Sequence, residues 1–375
     1  MRGLADFLSA LLRLFQQWAR LVTDLTAWQQ TVQAQPARLS EVSDFGSNPG
    51  NLRMLAYVPD RLASSPALIV VLHGCLQTAA GYDYGAGWST LADRYGLALL
   101  FPEQQTANNP QRCFNWFEPE DSIRDQGEAL SIRQMVEHMI RAHGIDRSRV
   151  FVTGLSAGGA MTSVMLATYP EVFAGGAIIA GIPYRCATVV PEALRCMFQG
   201  HVRSAQDWGD RVRAASSHKG PWPKVSVWHG TNDLTVVPVN AAEIIKQWTN
   251  VHGLSASPSR QEIVDGHPRR VWENRSGEVV IEDYIIADMA HGTPIAITSG
   301  EERHGVAGPF LLDVGIASSY HIAKFWGVVE RKREPALEPQ VDQEVALGRE
   351  PSAGTWIQRL RATVTRALQG IGLLK

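Results

Sequence analysis

At 375 residues, 45% of them hydrophobic and 19% charged, the chain can bury the core of one large domain with appendages or of two domains. Its net charge of -2 leaves no basic field for polyanions, and no basic stripe interleaves with aromatics, which argues against nucleic acid as a partner. No uninterrupted apolar stretch is long enough to span a bilayer.

From the N-terminus, apolar residues recur with helical period between Leu4 and Trp28, predicting a long amphipathic helix within residues 1–40. Arg13 and Arg20 interrupt the apolar run and no small-residue cleavage site follows, so this stretch does not read as a signal peptide. A main domain is expected over 41–330. Buried strands are predicted at ALIVVLH (67–73), LALLF (97–101), RVFVTG (149–154), GGAIIAG (175–181) and KVSVWHG (224–230), with helices such as SIRQMVEHMIRAHG between them. This alternation predicts an α/β fold, a mostly parallel sheet with helices on both faces. Two further strands join at Arg275-Ser276-Gly277, the second running toward His291. A Pro/Glu-rich linker follows over 331–354, then a second amphipathic helix over 355–375. Both terminal helices are expected to pack on each other or on the domain, with a hydrophobic particle or membrane surface as the alternative.

The stretch RVFVTGLSAGGAMTSVML (149–166) turns a buried strand into a helix through Gly154-Leu155-Ser156-Ala157-Gly158. Gly-x-Ser-x-Gly at a strand-to-helix junction has the form of a nucleophile elbow, which projects the Ser156 hydroxyl from the carboxyl edge of an α/β-hydrolase sheet. A serine needs a base, and the base a third group to orient it. The chain order serine, acid, histidine selects Asp233, past the strand 224–230, and His291, past the last strong strand. Asp265 or Asp288 could replace the acid, and His229, His267 or His304 the base; His73 and His229 read as braces of loops. The backbone amides of Ala157, opening the helix, and of Cys75, in the loop after 67–73, are the expected oxyanion donors. Cys75, Cys113, Cys186 and Cys196 allow three pairings into two disulfides. None has zinc-ligand spacing, which argues against a structural metal.

Taken together, the stretches LHGCLQTAAGYD, FPEQ, CFNWF, the 149–184 segment, HGTNDLTVVP and HGTP resemble esterases of the polyhydroxybutyrate depolymerase type, relatives of feruloyl and acetylxylan esterases. The resemblance covers roughly residues 50–328. It implies Ser156, Asp233 and His291 as a triad, Cys75 and Ala157 as oxyanion donors, and Trp116 beside the cleft in substrate binding. It implies the pairs Cys75–Cys113 and Cys186–Cys196, no cofactor, and an extracellular or periplasmic setting. The implied substrate is a hydroxyalkanoate oligomer or polyester. A feruloyl or acetylxylan-type ester is the alternative, ahead of a peptidase of the same fold or a non-catalytic binding protein.

Overall fold

A computed structural model of the chain describes residues 23–298 and 304–329. The expected linker over 331–354, the C-terminal helix over 355–375 and the first 22 residues of the N-terminal helix lie outside the described residues.

The strands are β1 (Ser40–Val42), β2 (Arg53–Tyr57), β3 (Leu68–Leu72), β4 (Ala98–Glu103), β5 (Val150–Leu155), β6 (Gly175–Ile179), β7 (Lys224–Gly230), β8 (Arg260–Val264), β9 (His267–Glu273), β10 (Val279–Ile286), β11 (Thr293–Ile295) and β12 (Leu311–Asp313). The first ten form one sheet in the order β1-β2-β4-β3-β5-β6-β7-β10-β9-β8. Its centre, from β4 to β10, is parallel. Antiparallel β2 and β1 extend one edge, and antiparallel β9 and β8 the other. The short β11 and β12 pair separately.

The apolar runs become central strands because both faces are covered. Along β3, Leu68, Val70 and Leu72 enter one core while Ile69 and Val71 enter the other. Helices Gly127–His143, Ala157–Thr168 and Val239–His252 contribute to the first, and Trp88–Tyr95 and Ser318–Phe325 to the second. Each fully buried aliphatic side chain contributes about 1.5–3 kcal/mol through removal from water.

The expected strands are all present, and β5 runs one residue past Gly154. The N-terminal helix is described over residues 23–33, and β1 begins at Ser40. The Trp28 ring lies 5.6 Å from that of Tyr84. A Cβ added at Gly308 would sit 2.5 Å from the Trp28 ring. The described turns of this helix therefore pack on the domain.

Candidate active site

Strand β5 ends at Leu155 and the next helix begins at Ala157, so Ser156 alone makes the corner. Its backbone takes φ 57° and ψ -116°, a sparsely populated conformation that surrounding structure must enforce. The Ser156 N–H donates to the Ile179 carbonyl at 2.9 Å, tying the corner to β6. A Cβ at Gly154 would lie 2.4 Å from the Gly158 carbonyl oxygen, and one at Gly158 would lie 2.3 Å from that of Leu72. Helix and strands thus approach so closely that only glycine fits at both positions. The half-buried Ser156 side chain stands at the carboxyl edge of the parallel sheet, where α/β folds gather ligands.

Asp233 follows β7 and His291 follows β10, the neighbouring strand. Their loops are joined by the Asn232 N–H donating to the Met289 carbonyl at 3.0 Å and the Thr231 N–H to Ile286 at 2.9 Å. Asp233 is buried, with Oδ1 accepting from the Thr235 and Val236 amides at 2.9 Å each and Oδ2 lying 2.7 Å from His291 Nδ1. Burial alone would raise this carboxyl. Hydrogen bonds with His229 and His291, the imidazole charge and the Val236 amide outweigh it and hold Asp233 well below the usual carboxylate range. An ionised Asp233 only accepts, so the His291 proton sits on Nδ1 and leaves Nε2 free to take a proton.

Of the other candidates, three are engaged elsewhere. Asp265 pairs with His321 at 2.8 Å, His267 lies 2.9 Å from the Val314 carbonyl, and His304 lies 2.9 Å from Ser319 Oγ. The Asp288 amide donates to Thr231. His229 is a brace: its Nε2 donates to the Val236 carbonyl at 2.7 Å and lies 3.4 Å from Asp233.

His73 braces the loop after β3. Its Nε2 accepts from the Gln104 amide at 3.1 Å, which places the proton on Nδ1, 2.8 Å from the Gly74 carbonyl. Desolvation lowers the affinity of this ring for a second proton, so it stays neutral. The Gly74 carbonyl and Cys75 N–H belong to one planar trans peptide and point in opposite directions. Anchoring the carbonyl therefore aims the Cys75 N–H, which has no acceptor among the described residues. The Ala157 N–H opens its helix, where no intrahelical acceptor exists.

Cys75 is bonded to Cys113, and Cys186 to Cys196, the two pairs implied from the sequence. A network that sequence reasoning missed supports the first bridge. Gln104 Nε2 donates to buried Glu128 and to the Cys113 carbonyl at 3.1 Å, and the Asn115 amide donates to Glu128 at 2.9 Å. Burial pushes the Glu128 carboxyl up, with neighbouring Asp121 adding to the rise. The only signal in the chain was the pair of segments FPEQ and CFNWF, which the network joins. Trp116 is 8% exposed and sits edge-on to Phe117 at 5.3 Å, most of its ring in the core.

A family model described as esterase PHB depolymerase matches residues 53–265. Poly(3-hydroxyalkanoate) depolymerase C of Paucimonas lemoignei is 49% identical over 78% of this chain and 70% of its own. Feruloyl esterase B of Neurospora crassa is 39% identical over 69% of this chain and 89% of its own. The solved acetyl xylan esterase from Aspergillus awamori superposes with a TM-score of 0.66 at 27% identity, over 78% of this chain and 100% of that one. The chain therefore belongs to the PHB depolymerase esterase family and is a carboxylic-ester hydrolase of the α/β-hydrolase fold.

Proposed function

We propose that Ser156, His291 and Asp233 form the catalytic triad and that the preferred substrates are esters of hydroxyalkanoates. The observation that carries the triad is the 2.7 Å contact of His291 Nδ1 with buried Asp233, at the sheet edge where Ser156 makes its single-residue corner. His291 Nε2 takes the Ser156 proton as the hydroxyl oxygen attacks the ester carbonyl. The tetrahedral oxyanion lies between the Cys75 and Ala157 amides, each worth about 3 kcal/mol to the transition state. Collapse breaks the ester C–O bond, His291 protonates the departing alkoxide, and an acyl-Ser156 remains. Water, deprotonated by His291, repeats the sequence and frees the acid.

The 49% identity with a poly(3-hydroxyalkanoate) depolymerase favours hydroxyalkanoate esters over aromatic or acetyl ones. The two disulfides favour an oxidising, extracellular or periplasmic compartment. A panel of 3-hydroxybutyrate oligomers, methyl ferulate and acetylated xylan compares the substrates through kcat/KM. The oligomers are expected to be the best; a higher value for methyl ferulate or acetylated xylan would reverse the assignment.

A further inference from the structure

A cavity of about 1120 Å³ lies between the N-terminal segment and the domain. The segment contributes Trp28, Val32 and Leu39 to its walls, and the domain contributes Leu55, Tyr84 and Arg112. None of Ser156, Asp233, His291, Cys75 and Ala157 is among the described residues that line it, so it is distinct from the candidate active site. Two anchors hold the segment over the cavity. The Trp28 ring packs against Tyr84 at 5.6 Å, and Arg38 donates to the Tyr57 hydroxyl at 2.7 Å while pairing with Asp93.

The charges along these walls are unevenly committed. Arg53 is engaged by Glu41 and Glu103, and Arg38 by Asp93. Asp83 accepts from the Ser89 amide at 2.8 Å. The Arg112 guanidinium has neither an ion pair nor a hydrogen bond among the described residues. Its backbone is nevertheless fixed, at φ 51°. The Arg112 N–H donates to the Asn109 carbonyl at 2.8 Å, and the next residue, Cys113, is bonded to Cys75. A side chain in this left-handed region costs free energy that the surroundings must offset, and such positions gather at active sites and ligand clamps. Arg112 thus brings one uncommitted positive charge to a chamber whose other walls are mostly apolar or already paired.

We infer that this cavity is a second ligand site and takes an aliphatic carboxylate, with Arg112 on the carboxylate and Val32, Leu39 and Leu55 against the hydrocarbon. The planar guanidinium matches a carboxylate through two parallel N–H···O bonds, and one free positive charge balances one negative charge. A phosphate dianion exceeds what Arg112 alone offsets, and a neutral alcohol leaves the guanidinium unpaired. A carboxylic-ester hydrolase releases a carboxylic acid, so an aliphatic acyl product has the chemistry this site fits. The volume exceeds the roughly 300–1,000 Å³ of most small-molecule sites, which leaves room for a short oligomer as well as a monomer. The inference is independent of the triad reading, because the walls contain none of its residues.

The test is isothermal titration calorimetry on the full chain after a fluorophosphonate has blocked the catalytic serine. The probes are octanoate, the linear trimer acid of 3-hydroxybutyrate, and 1-octanol. The blocked chain should bind one molecule of acid. Binding should weaken at least about tenfold, or roughly 1.4 kcal/mol, for 1-octanol and for octanoate on Arg112→Gln. Val32→Asp, on the N-terminal segment, should weaken octanoate likewise while keeping the wild-type turnover of p-nitrophenyl butyrate; if Arg112→Gln fails to fold, this variant decides the matter. Tighter binding of the trimer than of octanoate assigns the site to the enzyme's own product, and the reverse order to free fatty acid. No binding by the blocked chain overturns the inference, even where the unblocked chain binds, because the acid then sits in the catalytic cleft. Equal affinity for octanoate and 1-octanol overturns it too, as does unchanged affinity in folded Arg112→Gln. A chain that the fluorophosphonate leaves unlabelled at Ser156 sinks the triad reading alone, and octanoate binding must then still weaken in Arg112→Gln.

Discussion

One residue that supports the site takes no part in the chemistry itself. His73 holds the Gly74 carbonyl and so sets the direction of the neighbouring Cys75 N–H. His73→Phe keeps a ring of similar size but removes both nitrogen contacts. We expect kcat to fall by about 10²–10³, the loss typical of one oxyanion donor, with KM nearly unchanged. A steady-state comparison on a soluble ester checks this, and an equal rise in KM with kcat preserved would show that His73 shapes binding instead. The positions of Ser156, Asp233 and His291 were legible in the sequence, because a glycine-flanked corner and the order of strand ends restrict each candidate. The Gln104–Glu128–Asn115 network was not: its members are residues of ordinary appearance, 11 to 24 positions apart, and only the folded chain makes them partners.

At the scale of elements, strand and helix meet at Gly158 with no room for a methyl group. Ala in its place would put Cβ 2.3 Å from Leu72 O and 2.6 Å from His73 O, both backbone atoms that cannot swing aside. Gly158→Ala should therefore cost about 1–3 kcal/mol, as overpacked positions do, and lower kcat by displacing Ser156 and the Ala157 amide together. Thermal melting and soluble-ester turnover measure the two effects; an unchanged melt with full turnover would contradict the close approach. The central strands were readable because burial on both faces turns them into apolar runs. The edge strands β1 and β8 escaped that reading, as did the short β2, which lies between β1 and β4. Ser40 and Glu41 of β1 and Arg260, Gln261 and Ile263 of β8 face solvent, so their composition carries no such signature.

For the molecule as a whole, stability should depend on a histidine remote from the site. His252 ends the helix Val239–His252 near Trp248, and burial pushes its pKa down to about 4, against a partial opposing effect of the Pro223 carbonyl. The unfolded chain binds a proton here below about pH 6.5, while the folded chain does not until about pH 4. The associated stability is thus fully present above pH 6.5 and lost as the pH falls through 4. The melting temperature of His252→Gln should decline less steeply than that of the wild type across this window; parallel declines would remove His252 from the account. One acyl-enzyme is expected to form per molecule, on Ser156. Intact-mass measurement after treatment with a fluorophosphonate, followed by peptide mapping, tests it most directly. We predict a single adduct on the peptide spanning Ser156 and none on Ser156→Ala, whose melt should match the wild type. An adduct on another residue, or full ester turnover by Ser156→Ala, would contradict the account.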